Sequence, residues 1–145
     1  MKTLLENAQA AIREKLAYIR PVDVFITPHE NFIPRGTQFP AIGIKDGNIK
    51  SVTLMGGDSS DQTLAVKYIP FVKMYSGEKS IMGDGSTKGI LDVTQDLHTA
   101  LRDNFLDIPE MEDVTCEDEK ESESFGQPGD GLQRKIITYK YEKRV

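Results

Sequence analysis

From Thr3 to Ile19 the apolar residues Leu5, Ala8, Ile12, Leu16 and Ile19 recur every three or four positions, with Glu6, Arg13 and Lys15 between them. That is the period of an amphipathic helix, whose apolar stripe needs another element to cover it. Thr3 with Glu6 three residues on has the form of a capping box, and Pro21 disfavours helical geometry at Arg20, so both ends of this helix are expected from the sequence. A second stripe runs through Ile90, Val93, Leu97, Leu101 and Phe105, with Asp92, Gln95, Asp96 and Arg102 turned to solvent and Pro109 beyond its end.

Elsewhere the period changes to two. Val22, Val24 and Ile26 alternate with Asp23, Phe25 and Thr27, which predicts a strand with one face more buried. Phe39 to Lys45 and Asn48 to Met55 flank Asp46-Gly47, a dipeptide that readily supplies positive φ, so these residues predict a hairpin. Leu64, Val66, Tyr68, Val72 and Met74 then share one face of a long strand, with Lys67, Ile69, Phe71 and Lys73 on the other. Pro70 lacks an amide donor and places this strand at an edge or at a bend. Met111 to Asp118 and Leu132 to Lys143, the latter with Ile137, Tyr139 and Tyr141 on alternate positions, read as the arms of an antiparallel ribbon whose loose tip is Gln127 to Gly131. Pro28 to Gln38, Met55 to Gln62 and Ser76 to Gly89 keep neither period and read as loops.

The order helix, strand, hairpin, long strand, helix, terminal hairpin predicts an α+β fold. Its sheet should be mainly antiparallel, covered on one face by two amphipathic helices and extended by a C-terminal β-hairpin. The 145 residues fit one domain, 1–145, without a repeat or linker dividing it. An apolar share of 38% is modest and predicts a thin core with extended arms or polar loops. Charged residues interrupt every apolar run, so neither a membrane span nor a signal peptide is expected. Cys116 is the one cysteine and cannot form an intrachain disulfide, consistent with synthesis in a reducing cytosol. A net charge of −5 opposes nonspecific attraction to nucleic acid or anionic lipid.

Candidate chemistry is sparse. His29 beside Glu30, with Asp58 or Asp61, lacks the ligand spacing of a catalytic zinc site, so no metal and no cofactor is expected. His98 reads as a polar position beside Leu97. The loop Gly83 to Gly89 lies between a strand and a helix, where phosphate-binding glycine loops also lie. Lys88 is followed by Gly89 and Ile90 and not by Ser or Thr, and Asp84 would repel a phosphate, so a plain loop outweighs a nucleotide cradle. No Gly-x-Ser-x-Gly elbow occurs, and the acids around Cys116 disfavour its thiolate. The expectation is a protein that is not an enzyme.

The charge distribution is more informative. Glu112, Asp113, Glu117, Asp118, Glu119, Glu121 and Glu123 precede the ribbon tip, while Arg134, Lys135, Lys140, Lys143 and Arg144 follow it. Folded together, the arms pair within one chain, each exposed pair contributing about 0–1 kcal/mol. Set against neighbouring copies, they fix register around a head-to-tail ring. In the second reading Arg134, Lys135, Lys140, Glu117, Asp118, Glu119 and Glu121 form the subunit interface.

With its helix at Leu4 to Ile19, strands at Val22 to Thr27 and around Asp46-Gly47, long strand at Leu64 to Tyr75, helix at Ile90 to Leu106 and closing strand at Leu132 to Lys143, the chain resembles the tail terminator (tail completion) proteins of long-tailed phages. The resemblance is architectural and spans nearly the whole chain. It implies a hexameric ring in the virion, made in the host cytoplasm, that caps the head-proximal end of the tail tube and stops tube polymerisation. The implied partners are further copies of itself, the tail tube protein and the head connector, with DNA passing through the lumen without specific binding. Another head-tail connector, neck or minor tail protein is the nearest alternative, and a small phosphate-ligand enzyme using Gly83 to Gly89 a more distant one.

Overall fold

The computed structural model describes residues 1–53, 60–74, 78–125 and 131–144. Helix α1 (Lys2–Lys15) buries Leu4, Leu5, Ala8 and Ile12. It ends earlier than Pro21 alone requires, in a turn that still buries Leu16 and Ile19. Thr3 lies inside the helix and Met1 occupies the N-cap position without a side-chain cap, so the expected capping box does not form.

Among the described residues seven strands follow: β1 (Val24–Ile26), β2 (Ala41–Thr53), β3 (Ser60–Lys73), β4 (Met111–Glu119), β5 (Glu123–Phe125), β6 (Leu132–Arg134) and β7 (Ile137–Arg144). Two more helices, the four-residue α2 (Lys79–Met82) and α3 (Ile90–Leu101), lie between β3 and β4. The strands make one sheet. β1 pairs with β2 in parallel, β2 with β3 antiparallel, and β3 in turn with both β7 and β6; β4 flanks β7 and β5 flanks β6. Every pair but the first is antiparallel, so the α+β expectation holds.

The main core lies between the sheet and the two long helices. Val93, Leu97, Ala100 and Leu101 of α3 and the α1 stripe meet Ile42, Ile44, Leu64, Val66, Tyr68, Val72, Ile137, Tyr139 and Tyr141. A second, smaller core sits on the opposite face. Phe25, Ala41, Ile69, Phe71, Leu132 and Ile136 pack there with Ile33 and Phe39, so the aperiodic excursion after β1 covers this second core. Burial on both faces explains why β3 reads Tyr-Ile-Pro-Phe-Val without alternation at its C-terminal end.

Several expectations change. Asp46-Gly47 makes no hairpin: β2 runs straight through it, paired with β3 from Ala41↔Phe71 to Thr53↔Ser60. The register shifts between Asp46 and Ile49, so Gly47 and Asn48 bulge opposite Ala65. A Cβ on Gly47 would stand 2.9 Å from both the Cβ and the carbonyl oxygen of Ala65, which is the reason for glycine here. The missing side chain that suits a tight turn also suits a close approach between strands, and the sequence does not separate them. Gly47→Val should cost about 1–3 kcal/mol in urea denaturation, as overpacking against backbone does; an unchanged midpoint would refute the close approach.

Pro70 is not on an edge strand, because β3 is central. Its carbonyl accepts from the Lys135 amide at 3.3 Å, so that side of the residue faces the gap between β6 and β7, where a missing donor leaves no ladder partner unsatisfied. Strand β1 is shorter than Val22–Thr27. Pro21–Asp23 forms a 3-10 turn that exposes Val22 and buries Asp23, whose carboxylate accepts from Arg20 Nε at 2.7 Å and from the Gln38 amide at 3.2 Å. Helix α3 stops at Leu101, and positive φ at Asp103, Leu106 and Asp107 turns Phe105 outward and Leu106 inward. The ribbon tip at Gln127–Asp130 and much of the Met55 to Gln62 loop lie outside the described residues.

Candidate assembly surface

Strand alternation decides where the predicted interface residues go. Lys135 falls in the short link between β6 and β7 and turns inward: it is 7% exposed, and its Nζ donates to Glu119 Oε2 at 2.6 Å. Arg134 reaches back to the cover loop, donating to the Glu30 carbonyl at 3.1 Å and to the Asn31 side chain. At the other end of the ribbon, Arg144 lies 3.2 Å from Glu112 and 3.6 Å from Asp61. Both ends of the ribbon are thus paired within the chain. Glu117, Asp118 and Glu121 remain exposed, and Lys140 opens with Glu117 onto a shallow depression shared with Asn48, Lys50 and Thr63.

Glu119 also accepts from His98, giving a chain of contacts Tyr139–His98–Glu119–Lys135 that ties α3, β4, β7 and the β6–β7 link together. Tyr139 and His98 Nδ1 are 2.5 Å apart. One ring nitrogen of His98 faces the phenol and the other the carboxylate, so the imidazole bridges the two. Burial alone would raise the Glu119 carboxyl, but the hydrogen bonds from Lys135 and His98 outweigh it and hold the group below the usual carboxylate range. The network borders an open groove of about 380 Å³ lined by Leu91, Thr94, Gln95, Thr99 and Arg102. His98 is therefore more than a polar residue beside Leu97. Its spacing of 41 residues from Tyr139 gives no sequence signal.

The glycine loop binds its own side chains. Asp84 Oδ1 accepts from the Ser86 and Thr87 amides at 2.8 and 2.7 Å, which holds the Asp84 carboxyl down at about 2. Asp92 accepts from the Gly89 amide at 3.0 Å, and Lys88 is held by Asp96 at 2.7 Å over the Tyr18 ring. Carboxylates thus occupy the donors that a phosphate would use. Around the first histidine, His29 Nδ1 accepts from the Asn31 amide and Glu30 from Lys67 at 2.7 Å; Asp58 lies outside the described residues. At Cys116, partial burial and then the charge of Glu119 push the thiol up, as its acidic neighbours predict. No helix among the described residues is long and apolar enough to cross a membrane.

What the sequence reading missed is two long free edges among the described strands, on β2 and β4. Strand β1 covers β2 only as far as Ile44, whose carbonyl accepts from Thr27. From Lys45 to Thr53 no strand among the described residues lies on the outer side of β2. Ile49 and Val52 there are 51% and 63% exposed. On the far side of the same sheet, β4 pairs with β7 alone among the described residues, and seven of its nine residues are exposed. Five of the nine, Glu112, Asp113, Glu117, Asp118 and Glu119, are acids. The β2 edge carries Lys45 and Lys50 against Asp46.

No family model matches the chain, and no curated protein matches it in sequence. Function is therefore read from these edges and clusters.

Proposed function

We propose that the chain is a structural protein of a long-tailed phage or prophage: a tail terminator whose copies form a ring, hexameric by the resemblance, on the head-proximal end of the tail tube. The ring stops tube polymerisation, offers a surface to the head connector and lets DNA pass through its lumen without specific binding. The observation that supports this best is that one sheet carries two long, unlike free edges, on β2 and β4. A surface that meets a different surface of the next copy gives a head-to-tail contact, and such contacts close into rings when the rotation between copies closes. The bound glycine loop favours this reading over a phosphate-ligand enzyme, and no reaction is required.

Light scattering across a concentration series, with negative-stain images of the protein alone and with tail tubes of its source phage, tests the assignment. A discrete ring, in solution or capping tube ends, is the expected result. A monomer at every concentration that leaves tube ends bare would overturn it.

A further inference from the structure

The geometry points to the contact between copies: the Lys45–Thr53 edge of β2 in one copy pairs with the β4 edge of the next, antiparallel, so that the sheet continues from subunit to subunit. This rests on the ring reading above and specifies its interface.

Strand directions come first. In the exposed half of the sheet the order is β2, β3, β7, β4, and each neighbour runs opposite to the last. β2 and β4 therefore run in opposite directions. When a second copy is placed beside the first with its strands in the same sense, its β2 meets β4 antiparallel and the alternation continues unbroken. Lengths agree as well. Less Ala41–Ile44, the thirteen residues of β2 leave nine, as many as β4 has.

Charge selects this pairing over its rivals. Two β4 edges together would set five acids against five acids, which disfavours a two-fold dimer through that edge. The β2 edge has a net positive charge from Lys45 and Lys50 and lacks that repulsion. It also carries the apolar side chains of Ile49 and Val52, which a lone subunit leaves half or more in water and which a docked strand would cover. The two free edges of a single copy cannot meet each other, since β3 and β7 stand between them.

Cys116 on β4 is exposed and is the chain's one cysteine, so it serves as a reporter. Side chains directly opposite in an antiparallel pair have Cβ atoms about 4.5–5.5 Å apart, near the span of a disulfide. Within one chain the distance from β4 to β2 is three strand spacings, roughly 14 Å, too far to bridge. The test is a set of single variants on the sheet face that Cys116 shares with Tyr139, Asp46→Cys, Ile49→Cys, Ser51→Cys and Thr53→Cys, each oxidised mildly and run on a non-reducing gel. One or two positions should give a ladder of covalent oligomers, lost when Cys116→Ser is added. If the wild type forms rings but no position gives a ladder, the edge pairing is wrong while the ring stands. If the wild type stays monomeric with and without tubes, both fall.

Discussion

The Lys135→Glu variant should lose about 3 kcal/mol of stability, a large share of the about 5–15 kcal/mol that holds a domain of this size together. Lys135 is almost wholly buried and donates to Glu119 at 2.6 Å. Replacing it sets a second carboxylate against the first, beside the His98 contact, and removes the cation that balanced it. Glu119 keeps some contact with solvent, which holds the cost to the lower end for a broken buried pair. Lys140→Glu is the contrasting change. Lys140 has no ion-pair partner among the described residues and borders the exposed depression beside Glu117, so its reversal should alter stability by less than about 0.5 kcal/mol. Urea denaturation followed by circular dichroism distinguishes them. Equal midpoints for the two variants would show that Lys135 is not held as described.

Raising the pH should leave the protein folded to about pH 10 and then unfold it in one cooperative step as the pH approaches 12. The cause is a cluster of tyrosines in the main core. The hydroxyls of Tyr68 and Tyr141 lie 2.6 Å apart, and the Tyr139 ring stands edge-on to Tyr68 at 5.7 Å. Burial pushes Tyr68 and Tyr141 well above the usual phenol value and, with Cys116 and Glu119 nearby, Tyr139 to about 12. A folded-state value above the unfolded one means that stability is fully present below pH 10, the unfolded value, and is lost as pH climbs through the folded value. Tyrosinate absorbance and far-ultraviolet circular dichroism should therefore change together. Ionisation of all the tyrosines with the circular dichroism intact would contradict their burial.

Fold class was readable because the two helical stripes and the alternation at Ile137, Tyr139 and Tyr141 are local signals with a long period to average over. Details that depend on a second element were not. Asp46-Gly47 fits a turn and a bulge equally, and only Ala65 on the neighbouring strand decides between them. Pro70 looks like an edge residue unless one knows that its neighbours change from β7 to β6 at that point. The predicted interface set was divided by burial: Lys135 went inside, Arg134 went to the cover loop, and Glu117, Asp118 and Glu121 stayed outside. Of the expected ribbon, Met111 to Asp118 pairs with the Ile137 to Lys143 part of the second arm, while Leu132–Arg134 breaks off to pair with β3 and β5; charge pattern carries no information on which side of each strand faces water. The free edge of β2 had no composition signal, since an unpaired strand side is defined by what is not beside it.

Strand β7 lies between β3 and β4, so neither of those strands is properly seated until it arrives. Tyr68 and Tyr141, which meet in that seam, are 73 residues apart along the chain. Closing so wide a loop costs entropy before any contact compensates for it, so refolding should take milliseconds to seconds, with the Tyr139 and Tyr141 signals among the last to recover.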